Sequence, residues 1–180
     1  MSLKPLTAPI LFLFFSAALS AASVNIAVFQ KTALSGENAQ VGEATRIIEN
    51  TIMDYYFEKG FIISNERTST DWEAYKDEET GLQQAKAGYA EYFVAVLIPL
   101  ETTVQPVNMK YIRPVSWRVV RTADGAVLAQ GESVPGALKD NPQGSSPSGS
   151  KQTEQDPVKG IGIFAAGIAQ DTIDVIQKSR

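Results

Sequence analysis

The chain has 180 residues, a formal net charge of −4, and neither histidine nor cysteine. The missing residue types exclude disulfides, Ser-His-Asp and Cys-His catalytic arrangements, and most zinc sites. The acidic balance argues against nucleic acid as a partner. A cysteine-borne lipid anchor of the bacterial lipoprotein type is not expected either.

The chain starts with the pattern of an export signal. Lys4 precedes an apolar run at residues 8–19, and small residues follow it. Small side chains are what a signal peptidase accepts at positions −3 and −1. We therefore predict a signal peptide over residues 1–22, cleaved after Ala22 or, alternatively, after Ser20. A retained membrane anchor is the other interpretation, although the run is shorter than the about 20 apolar residues of a bilayer span.

The next segments predict a β-α-β unit. Residues 24–29 form a β-rich apolar run, typical of an internal strand. Apolar residues at three- and four-residue spacing then predict a helix, with Ser35 as N-cap and Gly60 as its stop. The apolar stripe consists of Val41, Ala44, Ile48, Ile52 and Tyr55. Residues 61–65 predict the second strand.

A second helix and the most hydrophobic strand come next. The residues from Thr70 to Glu73 have the form of a capping box. The helix that they open is expected to end at Gly88 in a left-handed C-cap. The unbroken apolar run at 92–100 predicts a central strand covered on both faces, and Pro99 marks its end.

Residues 107–122 predict a further strand, which Pro114 places at a sheet edge or at a bulge. An Asp124-Gly125 pair between two β-rich runs predicts a hairpin whose two central residues have positive φ.

The C-terminal part predicts a long loop and a closing helix. The composition at 135–157 is rich in Pro, Gly, Ser and Gln, which predicts a flexible loop. Helical periodicity returns at 161–178. We therefore expect a single α/β domain over 23–180, in the order β-α-β-α-β-β-β-α, with helices packed on a mixed sheet.

Four basic residues of the predicted hairpin region are the candidate partner-binding residues: Lys110, Arg113, Arg118 and Arg121. On a regular strand Lys110 and Arg118 share one face, while Arg113 and Arg121 share the other. A bulge at Pro114 would change this phase. Protection of a sheet edge by charge is the alternative interpretation. No catalytic, metal-binding or cofactor-binding residue is predicted.

Three segments of the sequence resemble known families. They are the strand start at 60–64, the segment at 85–94 with Gly88 and Tyr89, and the hairpin at 117–128. The pattern resembles the periplasmic α/β domains of the curli-secretion lipoproteins, the penicillin-binding-protein activators and the amino-terminal domain of the Tol-system β-propeller protein. The resemblance implies a non-catalytic envelope protein that binds another envelope component. It transfers no individual site residue.

We therefore expect a periplasmic or secreted bacterial protein that binds or scaffolds an envelope protein. Association with the outer membrane is one form of this hypothesis. Two alternatives stay open: a carboxylate-dependent hydrolase of envelope polymers, and a subunit of an oligomeric envelope assembly.

Overall fold

Five strands and three helices alternate along the computed structural model, which describes residues 21–32, 41–66, 68–70, 78–101, 107–136 and 156–180. The elements are β1 (Ser23–Thr32), α1 (Glu43–Glu58), β2 (Ile62–Asn65), α2 (Glu78–Ala87), β3 (Tyr92–Leu100), a 3₁₀ turn (Met109–Tyr111), β4 (Val115–Arg121), β5 (Ala126–Ser133) and α3 (Pro157–Ser179). The predicted α/β class and element order are confirmed.

The strands form one mixed sheet in the order β2-β1-β3-β4-β5. β1 pairs in parallel with both β2 and β3, and the chain crosses between these strands through α1 and α2. β3, β4 and β5 are antiparallel neighbours. β3 lies in the centre, as its unbroken apolar run predicts. The starts of β1, β2 and β3 and the β4–β5 turn therefore lie at one end of the sheet, called here the amino end.

The sheet separates two apolar layers. On one face α1 and α3 pack side by side over alternate residues of β1, β3 and β4, among them Ile26, Val94 and Val119, each fully buried. On the other face Ala85 of α2 packs against the intervening residues, such as Phe93. This two-sided burial explains why β1 and β3 are apolar at successive positions.

A buried polar residue of β1 determines where α1 begins. The helix starts at Glu43, and its N-cap residue Gly42 offers no side chain. Gln30 supplies the missing acceptor: its Oε1 accepts from the Gly42 amide at 2.7 Å and from the Thr45 hydroxyl at 2.8 Å. The predicted N-cap, Ser35, lies outside the described residues, and α1 does not begin there.

At the C-terminal end of α1, the buried face of the helix differs by one residue from the predicted apolar stripe. Tyr56 is fully buried, whereas Tyr55 is only partly buried. The Tyr56 hydroxyl donates to the Thr172 hydroxyl of α3 at 2.9 Å, and its ring meets Phe61 edge to face at 5.2 Å. Burial raises the pKa of Tyr56, so the phenol stays neutral. These contacts join α1 to α3 and to the start of β2.

The β4–β5 hairpin is present but differs from its prediction. Arg121 pairs with Ala126, so the turn has four residues, and Gly125 is its only residue with positive φ, at +73°. Asp124 therefore does not take the left-handed conformation that a two-residue turn requires. β4 is internal, and its pairing with β5 is irregular between Val119 and Val120 rather than at Pro114.

The close packing of this hairpin depends on one glycine. A Cβ atom at Gly131 of β5 would lie only 2.7 Å from Cε2 of Trp117 on β4. The indole ring therefore lies directly over the glycine, where no side chain fits.

The remaining differences concern element ends. α3 begins at Pro157, one turn earlier than predicted, because the Asp156 carboxylate accepts from the Val158 amide at 3.0 Å and proline suits the first helical position. The predicted loop at 135–157 therefore loses its last residue to α3. Residues 137–155 lie outside the described part, as does most of the predicted capping box that begins at Thr70.

Candidate interaction surface at the amino end of the sheet

Both crossover helices finish in the same hydrogen-bonded arrangement. At the end of α1 the Phe61 amide donates to the Tyr56 carbonyl and the Gly60 amide to the Phe57 carbonyl. At the end of α2 the Ala90 amide donates to the Ala85 carbonyl and the Tyr89 amide to the Lys86 carbonyl, at 2.9 and 3.0 Å. These pairs define two Schellman motifs, whose penultimate residue is left-handed.

The two motifs differ in the residue that takes the left-handed conformation. In α1 it is Gly60, with φ of +82°. In α2 it is Tyr89, with φ of +57°, the only non-glycine with positive φ among the described residues. A side chain in this conformation costs about 1–2 kcal/mol relative to ordinary backbone. The sequence prediction that Gly88 takes this role is therefore wrong by one residue.

The strain at Tyr89 is not offset by burial of its ring. The residue is 90% exposed, the highest value among the exposed large hydrophobic residues of the described chain. The backbone around it is nevertheless held firmly. The Ser23 hydroxyl donates to the Tyr89 carbonyl at 3.2 Å and accepts from the Glu91 amide at 3.0 Å.

A second anchor comes from the β4–β5 turn. The buried Thr122 hydroxyl is in hydrogen-bonding contact with the Ala90 and Glu91 carbonyls, and the Thr122 amide donates to the Glu91 carbonyl at 3.0 Å. Residues 89–91 are thus bound both to β1 and to the β4–β5 turn. The exposed tyrosine projects from a rigid base and not from a loose loop.

Tyr89 borders a surface depression of about 520 Å³. Its lining combines aromatic, cationic and acidic groups: Lys86, Tyr89, Ala90, Glu91, Tyr92, Arg121, Thr122 and Ala123. Tyr92 is buried and forms the floor on the side of α3, where the Ser179 hydroxyl donates to its phenol oxygen at 3.3 Å.

Arg121 lines the depression, but its guanidinium is already paired with a carboxylate of this chain. Its guanidinium binds the Asp124 carboxylate with N–O distances of 2.8 to 3.2 Å. Hydrogen bonds from this guanidinium lower the pKa of Asp124 to about 2, and the same contact raises the pKa of Arg121. Lys86 and Glu91 are exposed, so the depression offers one cation and one carboxylate to a partner.

Two further apolar side chains are exposed at the same end. Phe57, in the last turn of α1, is 72% exposed, and Ile62, at the start of β2, is 62% exposed. Ile62 is paired with Ser23, which contacts Tyr89, and Phe57 lies at the same end of the domain, in the last turn of α1. We call the side chains at this end the amino-end surface and define it by Phe57, Ile62, Lys86, Tyr89, Glu91 and Arg121.

The four basic residues predicted from sequence are not brought together. Lys110 lies in the 3₁₀ turn with its ammonium 4.8 Å from the centre of the Tyr111 ring, and Arg113 forms an ion pair with Glu101. Arg118 lies in the middle of β4, on the α2 face of the sheet. Of the four, only Arg121 lies at the amino end.

The amino-end depression contains a single carboxylate among its lining residues, Glu91. Hydrolysis by paired acids requires two carboxyl groups on either side of the scissile bond, so this depression gives that alternative no support. Within the described residues no group of three or more His, Cys, Asp or Glu side chains could hold a metal ion. No helix in the described part is long and apolar enough to cross a membrane.

Sequence reasoning missed Tyr89 because it assigned the left-handed position to the nearest glycine. A more decisive signal was available. In a Schellman motif the residue after the left-handed one packs on the last turn of the helix. Ala90 and Ala85 are the apolar pair at that spacing, and both are buried in one cluster. That pair places the left-handed residue at position 89.

Comparison with known proteins shows distant structural similarity. The chain is similar to the PelC dodecamer protein from Paraburkholderia phytofirmans (12% identity, TM-score 0.44, 86% of this chain and 87% of that one). It is also similar to lipoprotein GNA1162 from Neisseria meningitidis (10%, 0.42, 85% and 99%) and to the hypothetical protein CT253 from Chlamydia trachomatis (12%, 0.44, 87% and 96%).

No protein-family model matches the sequence, and no curated protein matches it significantly. The similar structures named above come from bacteria, and one of them is described as a lipoprotein. At these identities and TM-scores the similarity bears on neither the activity nor the partners of this chain.

Proposed function

We propose that this chain is an exported, non-catalytic protein of the bacterial cell envelope, periplasmic or secreted, that binds or scaffolds another envelope protein through its amino-end surface. Export is supported by the signal-like pattern of residues 1–22. Binding is supported by the geometry at the end of α2.

The observation that carries the proposal is the pair of unequal Schellman motifs. Glycine occupies the left-handed position after α1 and tyrosine occupies it after α2. Glycine at position 89 would remove the backbone strain, and the exposed ring contributes little to the core. Strain held rigidly and without structural benefit indicates a functional side chain. An exposed tyrosine on a fixed base is a typical anchor for a partner protein.

The surroundings of Tyr89 fit a protein–protein contact. Phe57 and Ile62 add exposed apolar area, while Lys86 and Glu91 supply charges of both signs at its rim. Apolar and aromatic groups surrounded by polar ones are the usual composition of such an interface. A partner contact at Lys110, Arg113 or Arg118 would be a second, separate site, because these residues lie away from the amino-end surface.

Photocrosslinking tests the proposal directly. A benzophenone amino acid is incorporated at position 89 of the full-length chain in its native host, and the envelope is irradiated. The matched control carries the same group at position 158, where Val158 is 46% exposed near the start of α3, at the opposite end of the domain. We expect a discrete protein adduct from position 89 and none from position 158.

The adduct identifies the partner by mass spectrometry. An adduct containing a second copy of this chain supports the assembly version of the proposal, and a different envelope protein supports the scaffold version. No adduct from position 89, or the same adducts from both positions, would contradict a role for the amino-end surface.

A further inference from the structure

The residues immediately before β1 belong to the folded domain. Ala22 is 1% exposed and is part of the main apolar core. Its carbonyl accepts from the Ile62 amide at 3.0 Å, where β2 begins. Ala21, one residue earlier, is only partly buried.

Ser23 continues this connection toward the other side of the sheet. Its carbonyl accepts from the Glu91 amide at 2.9 Å, and its hydroxyl bridges the same amide and the Tyr89 carbonyl. Residues 22 and 23 therefore tie the segments entering β2 and β3 to the start of β1. They also hold the backbone of Tyr89.

The two candidate cleavage positions have different consequences for these contacts. Cleavage after Ala22 removes a buried methyl group and the acceptor of the Ile62 amide. It also places a charged α-ammonium group on Ser23, next to the fully buried Val24. Cleavage after Ser20 preserves every one of these contacts and leaves the charge on the more exposed Ala21.

We infer that the export signal is cleaved after Ser20 and that the mature chain begins at Ala21. This inference rests on the proposed export. Ala18 and Ser20 supply the small side chains at −3 and −1. The later position fits the peptidase pattern as well, and only the packing of Ala22 distinguishes the two.

Intact-mass measurement of the exported protein from its native host tests the inference. We expect a chain starting at Ala21. A chain starting at Ser23 would overturn the inference and leave the proposed export intact. A chain that retains Met1 and the apolar run would overturn the proposed export, and with it the inference.

Two matched substitutions separate the processing positions. Ser20→Val places a branched side chain at −1 of the first position, and Ala22→Val does the same at the second. We expect Ser20→Val to abolish the species that starts at Ala21 and Ala22→Val to preserve it, both measured by mass in denatured envelope extract. The opposite pattern would refute cleavage after Ser20.

The stability of the two mature forms provides a second readout. The chain 21–180 is expected to melt at a higher temperature than 23–180, by at least the about 2–4 °C that 1 kcal/mol represents in a domain of this size. Equal melting temperatures would mean that Ala22 contributes nothing to the fold and would remove the physical basis of the inference.

Discussion

Replacing Tyr89 with glycine should stabilise the protein while it abolishes binding. Tyr89 holds φ at +57° with its side chain 90% exposed, so the substitution relieves the left-handed strain and gives up little buried area. The relief is about 1–2 kcal/mol. The added freedom of glycine in the unfolded chain takes back about 0.4–1 kcal/mol. A net gain of about 0–1.6 kcal/mol remains, with a midpoint of about 0.8 kcal/mol.

Two companion variants separate the backbone from the ring. Tyr89→Ala removes the ring but keeps a left-handed non-glycine residue, so its stability should stay within about 0.5 kcal/mol of the parent protein, as for other surface substitutions. Gly60→Ala creates the same strain at the end of α1, where a Cβ atom meets nothing within 4 Å. It should cost about 1 kcal/mol.

Urea unfolding of the four proteins measures these differences, and pull-down of the crosslinked partner measures binding. Both Tyr89 variants should lose the partner, whereas Gly60→Ala should keep it. If Tyr89→Gly is less stable than the parent, the tyrosine ring has a structural role and the reasoning from strain fails. If Tyr89→Gly binds normally, the ring is not the anchor.

Three further predictions concern the packing of the fold and the Arg121–Asp124 ion pair. Gly131→Ala should lower the free energy of unfolding by about 1–3 kcal/mol, because the new methyl group overlaps the Trp117 ring. Trp117→Leu should recover part of that loss in a double-mutant cycle. A Gly131→Ala variant as stable as the parent would show that the ring is free to move. Tyr56→Phe should cost about 1 kcal/mol in urea unfolding through the lost hydrogen bond to α3, and an unchanged midpoint would show that this bond contributes nothing. The pKa of Asp124 should be about 2, below its usual 3.8, so the stabilisation by Arg121 is complete above pH 3.8 and is lost as the pH falls toward 2. In Arg121→Gln, an NMR titration should show the pKa of Asp124 returning toward 3.8. An unchanged pKa in this variant would contradict the ion pair.

Local sequence signals predicted most of the elements because those elements depend on near neighbours. The apolar run of β3 needs burial on both faces, and its central place in the sheet follows. Gly60 ends α1 because only glycine takes positive φ without cost. The hairpin followed from Asp124-Gly125, although the length of its turn depends on the pairing of Arg121 with Ala126.

The candidate site was not predictable in the same way, because its parts come from distant positions in the chain. The backbone position of Tyr89 depends on the end of α2, on Ser23 at the start of β1 and on Thr122 after β4. The basic residues chosen from sequence lie close together only along the chain. In the fold, Arg113 binds Glu101 near the end of β3, while Arg121 binds Asp124 at the amino end.

The sequence by itself determined the α/β class, the order of strands and helices and the apolar stripes, since spacing and residue type decide which segments can bury a face. Tertiary structure alone decided where α1 begins and that Ala22 packs in the main apolar core. Both depend on a partner that is distant in sequence: the Gln30 side chain accepts from the Gly42 amide before α1, and the Ile62 amide donates to the Ala22 carbonyl. Local patterns do not encode such partners, because only the folded sheet brings them into contact.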